Sequence, residues 1–322
     1  MTEYKLSPYM RRILKLQNSI KLKRVCDMSP KEIAKLSTAT IPNNRLTRRL
    51  LAKPAENILK KTLQIPVGES FIKSYLFTKM EHPNQKRDPV RFDRPLIIYF
   101  HGGGWVIGHT VLNDFFCRRI ASITDSVVLS VDYRLAPTHK FPTAVTDASA
   151  ALLWAKRHAS AWGASKDKIF TMGSSAGGNL AAVIGLREHH AITGEILIYP
   201  VTDGRMQTPS YKEHEFAPQL DKALMEFFIN SYKRTDDDIL NPDFSPILSE
   251  HTKKAPPTLI ITAEYDPLHD DGILYGKRLE ESGIPVTYLE CKKTIHGFIN
   301  YPDAQGVALV EEAVSDFIMT TV

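Results

Sequence analysis

Ser175 stands at the centre of the sequence Gly-Ser-Ser-Ala-Gly at residues 173–177. An apolar stretch at residues 168–172 precedes it, and a segment rich in alanine and leucine follows it. A strand, a tight turn and a helix in this order form a nucleophile elbow, which exposes the central serine and brings it next to a helix N-terminus. The pattern therefore indicates Ser175 as a nucleophile. Ser174 is the neighbouring alternative, and a plain glycine turn is the competing interpretation.

Three consecutive glycines, Gly102, Gly103 and Gly104, follow another apolar stretch at residues 96–100. Without side chains, this backbone can approach a substrate closely and present its N–H groups to a negatively charged oxygen. We expect these groups, together with the N–H of Ala176, to stabilise an oxyanion. A phosphate-binding loop is disfavoured, because no Lys-Ser/Thr pair follows and the pattern G-x-G-x-x-G is absent.

A serine hydroxyl becomes a good nucleophile only when a base takes its proton and an acid orients that base. After an elbow of this kind, the acid and then the base follow in chain order. His296 is the one histidine that lies between the last apolar stretch and the C-terminal helical segment, which makes it the predicted base. Asp266, in the turn after residues 258–262, is the predicted acid. Glu264 remains an alternative, whereas Asp270 and Asp271 resemble helix N-terminal caps.

The elements that must position these residues alternate along the chain. Short apolar stretches occur at residues 96–100, 127–131, 168–172, 196–199, 258–262 and 286–289, and helical patterns occur at 113–123, 144–161, 176–188, 270–282 and 305–319. Continuous apolar strands separated by helices predict an α/β fold with a mostly parallel central sheet flanked by helices. Residues 71–77 predict a further strand, and residues 81–94 predict a loop.

Residues 203–245 interrupt this alternation with an amphipathic insertion. We expect it to form a helical cap together with the N-terminal segment, at about residues 1–61. Residues 62–202 and 246–322 would then form the catalytic core of a single domain spanning 1–322. Trp105 and Phe298 are predicted to wall a pocket beneath the cap, which would favour short or medium acyl chains over long triglycerides.

The N-terminal segment is basic, with 15 Lys or Arg against four acidic residues at positions 1–61, although the whole chain carries only +5. Leu14, Leu16, Ile20, Leu22 and Val25 give it an apolar side that we expect to close the pocket, with the lysines facing water. Weak contact with an anionic membrane surface is the alternative. Nucleic-acid binding is disfavoured, because interleaved aromatic residues and known motifs are absent.

Cysteine content and hydropathy give further expectations. The chain has three scattered cysteines and no Cys/His spacing typical of zinc, which predicts reduced thiols, a cytoplasmic location and no metal. No apolar run approaches the roughly 20 residues of a membrane span, so we expect no integral membrane segment. A homodimer remains open.

In combination, these motifs resemble the bacterial esterase branch of the hormone-sensitive lipase family of α/β-hydrolases. The matching segments are His101-Gly102-Gly103-Gly104-Trp105, Asp132-Tyr133-Arg134-Leu135-Ala136-Pro137, Phe141-Pro142, the serine elbow, Tyr199-Pro200 with Asp203, Ser245-Pro246, Asp266-Pro267-Leu268 and His296-Gly297-Phe298. Departures are Ser174 before the nucleophile, His269 where Arg is common and Asp271 where Glu is common.

The resemblance implies a carboxylesterase-like serine hydrolase that needs no cofactor, acts on short or medium acyl esters and forms an acyl-enzyme. It implies Asp266 as the acid and an oxyanion hole made by the amides of Gly102, Gly103 and Ala176. It also implies cis peptide bonds before Pro137 and Pro142. An amidase or arylamide deacetylase with the same residues, and a non-catalytic small-molecule-binding protein, are the alternative functions.

Overall fold

The computed structural model describes residues 4–19, 23–37, 55, 57–80, 92–108, 113–302 and 304–322. Most of the predicted loop at 81–94 lies outside these ranges, and so does much of the basic N-terminal segment, including Ile20 and Leu22.

Eight strands form a single sheet in the order β1-β2-β4-β3-β5-β6-β7-β8 within these ranges. They are β1 (Ile58–Val67), β2 (Ser70–Lys79), β3 (Arg94–Phe100), β4 (Val127–Val131), β5 (Ala164–Ser174), β6 (Gly194–Ile198), β7 (Thr258–Tyr265) and β8 (Val286–Ile295). In the sheet order, all neighbouring strands from β4 to β8 are parallel, whereas β2 is antiparallel to both of its neighbours, β1 and β4. The predicted mostly parallel sheet is confirmed.

Helices cover both faces of the sheet, because its parallel strands are apolar on both sides. The α-helices in the described ranges are α1 (Pro8–Ser19), α2 (Pro30–Ser37), α3 (Asp114–Ile123), α4 (Thr143–His158), α5 (Ala176–Arg187), α6 (Ser210–Glu213), α7 (Lys222–Tyr232), α8 (His269–Glu281) and α9 (Val307–Thr321). Short 3₁₀ turns occur at Val25–Asp27, Ala159–Trp162, His189–Ala191, Asp236–Leu240, Pro246–Leu248, Thr252–Lys254 and Phe298–Asn300. Two separate apolar clusters contain the buried side chains of the sheet and its helices.

The boundary expected near residue 61, between cap and core, falls inside a strand. β1 begins at Ile58 and pairs with β2 along its whole length. The charged residues Lys60 and Lys61 interrupt its apolar pattern, so the sequence did not predict this strand. Ile65 and Val67 are nevertheless buried, which places this segment in the core sheet.

The N-terminal helix packs differently from the sequence prediction. Leu6 and Met10, which precede and begin its apolar side, are buried, and Leu14 packs against the same cluster. Leu16 was expected on the pocket side, but it is 45% exposed. The described part of the helix therefore uses its apolar side to attach to the core.

Glu195 is a fully buried carboxyl group at the start of β6. Burial raises its pKa to about 8, although a hydrogen bond with Thr258 acts in the opposite direction. Thr258 Oγ1 lies 2.8 Å from Glu195 Oε1 and 2.9 Å from the carbonyl oxygen of Pro256. A hydroxyl has one hydrogen, so Thr258 cannot donate to the Glu195 carboxylate and to the Pro256 carbonyl oxygen at the same time.

This arrangement predicts that the stability of the Glu195→Gln variant relative to wild type increases as the pH rises. Between the unfolded pKa of about 4.3 and the folded value of about 8, only the folded state holds the proton, so wild-type stability falls as pH rises. Glutamine keeps a donor and does not ionise. The free-energy difference should grow by up to about 1.4 kcal/mol per pH unit in this window.

Urea unfolding at several pH values from 5 to 8.5 measures this difference. Glu250→Gln, at an exposed position, is the matched control and should leave the pH profile of the wild type unchanged. Parallel profiles for wild type and Glu195→Gln would show that Glu195 is not protonated in the folded protein.

Candidate active site

Ser175 lies in a tight turn between β5 and α5, as the elbow pattern predicts. Its backbone has φ 57° and ψ −121°, a strained conformation for a residue with a side chain. The flanking glycines make this turn feasible, because a Cβ at Gly173 would lie 2.1 Å from the carbonyl oxygen of Gly177. The serine side chain is thereby held at the end of β5, where it lines a cavity.

A continuous series of hydrogen bonds joins Ser175, His296 and Asp266. His296 Nε2 lies 2.9 Å from Ser175 Oγ, and His296 Nδ1 lies 2.7 Å from Asp266 Oδ2. Asp266 is fully buried, and its other oxygen accepts a 2.9 Å bond from the backbone N–H of Leu268. The carboxylate fixes the ring orientation, and the ring nitrogen that faces Ser175 can accept its proton.

His296 and Asp266 directly follow the paired ends of β8 and β7. Tyr265 is the register partner of Ile295, so the next residue of each strand faces the other. Gly297, with φ 76°, then turns the chain away. The ring of Tyr199 packs against the imidazole at 4.6 Å between centroids.

The alternative acids have other roles. Glu264 Oε2 accepts a 2.7 Å hydrogen bond from the backbone N–H of Lys293, at an irregularity in the pairing of β7 with β8. Asp270 Oδ2 accepts a 2.9 Å bond from the backbone N–H of Ser210. None of these contacts involves the imidazole of His296.

The prediction that Asp270 and Asp271 act as helix caps is wrong. α8 begins at His269 and its N-cap residue is Leu268. Asp271 is fully buried and accepts hydrogen bonds from the backbone N–H groups of Thr202 and Asp203. Burial raises the pKa of Asp271 well above its usual range. Both aspartates therefore connect α8 to the segment that follows β6.

The glycine loop after β3 borders the same cavity as Ser175, with Gly102 and Gly103 among the lining residues. The hydroxyl of Tyr133 donates a 2.7 Å hydrogen bond to the carbonyl oxygen of His101, and the two rings stack at 4.4 Å. Ala176 begins α5 directly after Ser175, and the first N–H groups of a helix have no intrahelical acceptor. Backbone donors from two elements are thus present around the serine.

The segment from Asp132 to Pro142 supports this loop. Arg134 makes hydrogen bonds through Nε and Nη2 to the buried carboxylate of Asp147. The backbone N–H of Ala136 donates to the carbonyl oxygen of Trp105 at 2.8 Å. The peptide bonds before Pro137 and Pro142 are cis, as expected.

A cavity of about 670 Å³ opens in front of Ser175 and His296. Its walls are formed by Gln17, Leu36, Gly102, Gly103, Gly104, Ile107, Gly108, Asn113, Ser174, Ser175, Tyr199, Gln219, Leu220, Leu224, Phe228, His296, Gly297, Asn300 and Tyr301. They come from α1, α2, the insertion that contains α7 and the core. Sequence reasoning identified only the glycine loop, the elbow and the histidine.

The prediction that Trp105 and Phe298 wall the pocket is wrong. Both side chains are fully buried and neither is among the residues lining the cavity. Trp105 stacks on Tyr232 at 4.6 Å, and Phe298 packs edge-on against Tyr199 at 5.7 Å. Trp105 and Phe298 therefore pack behind the residues that line the cavity. Phe228 and Leu224 form part of the cavity wall instead.

Neither a metal-binding cluster nor a membrane-spanning helix occurs in the described ranges. No cluster of three or more His, Cys, Asp or Glu side chains there could hold a metal ion. No described helix has the length and apolar character needed to cross a membrane.

Residues 97–300 match a protein family described as having the alpha/beta hydrolase fold. An arylesterase of Saccharolobus solfataricus is 36% identical over 78% of this chain and 83% of its own length. An ethyl acetate hydrolase of Pseudomonas putida is 33% identical over 72% of this chain and 76% of its own. The crystal structure of a hyperthermophilic esterase from Pyrobaculum calidifontis is 34% identical, has a TM-score of 0.84 and covers 98% of this chain and 99% of its own. The chain therefore belongs to the hormone-sensitive lipase-like family of the α/β-hydrolase superfamily, and it is a carboxylic ester hydrolase.

Proposed function

We propose that the enzyme cleaves short or medium acyl esters through an acyl-enzyme on Ser175, with His296 as base and Asp266 as the acid that orients it. The observation that carries this proposal is the series of hydrogen bonds from Ser175 Oγ through His296 to Asp266. The glycine loop beside it would supply backbone N–H groups that stabilise the negative charge on the substrate oxygen.

In the acylation step, Ser175 Oγ attacks the ester carbonyl carbon and gives its proton to His296 Nε2. The carbonyl oxygen becomes an oxyanion, held by the N–H groups of Gly102, Gly103 and Ala176. When the intermediate collapses, the bond to the alcohol oxygen breaks and His296 gives that oxygen the proton.

Deacylation repeats these steps with water as the nucleophile. His296 takes a proton from water, hydroxide adds to the acyl carbon and the intermediate expels Ser175 Oγ, which recovers the proton. Asp266 keeps the imidazole oriented and stabilises the imidazolium.

The same residues could cleave an arylamide, so p-nitrophenyl acetate and p-nitroacetanilide form the pair that separates esterase from amidase. The complete set of Ser175, His296 and Asp266 argues against a non-catalytic binding protein. No contact in the described ranges specifically favours either alternative.

We also propose that the N-terminal segment and the insertion at about 203–245 together form the cap. Arg24 Nη2 lies 2.6 Å from Asp221 Oδ2, which joins these two segments by an ion pair. Gln219 Nε2 donates to Gln17 Oε1 at 2.5 Å. Both amide side chains border the cavity, so the two segments would close it jointly.

Ser175→Ala should lower kcat for p-nitrophenyl butyrate by about 10⁴-fold or more, because binding and oxyanion stabilisation alone then remain. Steady-state kinetics measure the loss, and circular dichroism checks the fold. Ser174→Ala is the adjacent control and should lose far less, since Ser174 Oγ contacts the hydroxyl of Tyr99 and not the imidazole. A folded Ser175→Ala variant with near wild-type turnover would disprove the assignment.

Asp266→Asn should reduce kcat by roughly 10³- to 10⁴-fold, since an amide favours the wrong tautomer of His296. Glu264→Gln is the matched control, because glutamine still offers an oxygen to the N–H of Lys293 and leaves the imidazole contacts intact. Kinetics with one soluble ester compare the two variants. A greater loss for Glu264→Gln would make Glu264 the acid.

The bounded cavity predicts a limit on acyl length. Hydrolysis of p-nitrophenyl esters should peak among acetate to octanoate and fall for palmitate, because the apolar residues Leu220, Leu224 and Phe228 line a cavity of limited volume. The ethyl acetate hydrolase among the relatives supports small substrates. A chain-length series of kcat/KM tests this, and faster hydrolysis of emulsified long-chain triglyceride than of soluble butyrate would contradict it.

A further inference from the structure

The cavity in front of Ser175 has two chemically different sides. The apolar side consists of Leu36, Ile107, Leu220, Leu224 and Phe228, and the polar side consists of Gln17, Asn113, Gln219, Asn300 and Tyr301. Four of the five polar residues carry uncharged carboxamides, and the fifth is a phenol. Such a set is suited to hydroxyl groups, which both donate and accept hydrogen bonds.

The polar side is organised by its own hydrogen bonds. Asn113 Nδ2 donates to Asn300 Oδ1 at 2.8 Å. Gln17 Nε2 donates to the hydroxyl of Tyr301 at 2.9 Å and its oxygen accepts from Gln219. A carboxamide has two N–H donors and an oxygen with two lone pairs, so these contacts use only part of its capacity. The side chains are held in place with donors and acceptors to spare.

The two sides differ in their position relative to the catalytic groups. His296, Gly297 and Asn300 all line the cavity, and a Cβ at Gly297 would lie 3.5 Å from Asn300 Nδ2, so the polar side includes the stretch of wall that directly follows His296 in the chain. A Cβ at Gly104 would lie 2.1 Å from the ring of Phe228, so the apolar side borders the glycine loop.

The proposed reaction decides which half of an ester lies on each side. His296 protonates the departing alcohol oxygen, which must therefore lie within hydrogen-bonding reach of Nε2. The alcohol part then extends along the polar side, and the acyl part extends along the apolar side.

We propose that the preferred substrates are esters of a short or medium apolar acid with a neutral polyhydroxy alcohol of the glycerol type. Asn300 and Tyr301 are the residues that select this alcohol. An alkyl alcohol in the same place would cover the carboxamides without replacing their hydrogen bonds to water, and sites built to bind hydroxyls reject such analogues. The inference rests on the proposed reaction and adds the identity of its leaving group.

The test compares glycerol 1-butyrate with propyl butyrate. Both give the same butyryl-enzyme and share its deacylation, so kcat/KM differs only through recognition and release of the alcohol. The wild type should favour the glycerol ester by about tenfold, and Asn300→Leu should lower that ratio by about tenfold, as expected for one hydrogen bond between uncharged groups. Tyr301→Phe, which removes a single hydroxyl, should lower the ratio in the same direction.

Asn230→Leu is the matched control, because Asn230 is exposed on α7 and does not line the cavity; its ratio should equal that of the wild type. A wild type that prefers propyl butyrate, or a ratio that neither Asn300→Leu nor Tyr301→Phe changes, would overturn the inference while leaving the proposed hydrolysis intact. Failure of the wild type to cleave either ester would instead overturn the proposed function.

Discussion

The hydrogen bond between His296 and Asp266 depends on an irregularity in the pairing of β7 with β8. Ala263 pairs with Cys291, yet Tyr265, two residues on, pairs with Ile295. β8 thus contains two extra residues over this interval, with Lys293 at a φ of 59°. With regular pairing, Asp266 would face the position of Thr294, and His296 would lie two residues, about 7 Å, too far along the strand.

Glu264 holds this irregularity in place. Its carboxylate accepts the backbone N–H of Lys293, a group that the interrupted pairing would otherwise leave without a strand partner. Glu264 stood close enough to Asp266 in sequence to compete for the role of the acid. In the structure it supports the local geometry of β8, while Asp266 reaches the imidazole. Asp266 therefore contacts His296 directly, whereas Glu264 contacts only the backbone of the strand that leads to it.

The sequence was sufficient to predict the three hydrogen-bonded side chains to which we assign catalysis, because each one belongs to a short local pattern. Ser175 sits in an elbow, and parallel strands bring the residues after their carboxyl ends to one edge of the sheet, so Asp266 and His296 could be expected there. Trp105 could not be placed in this way, because its neighbours Tyr232 and Phe244 come from the distant insertion. β1 was missed since an edge strand carries charged residues, and Asp271 was misjudged since its partners follow a different strand.

The core and the proposed cap place different demands on their residues. The core must hold three side chains to within hydrogen-bonding distance, and the strand ends, the elbow and the irregularity in β8 do so through backbone geometry. The cavity walls only need side chains of suitable polarity, and these come from α1, α2, the insertion and the turn after His296. Changes at Gln17, Gln219 or Asn300 would leave the backbone that carries Ser175 in place. The side chains that line the cavity can therefore change without displacing Ser175, His296 and Asp266.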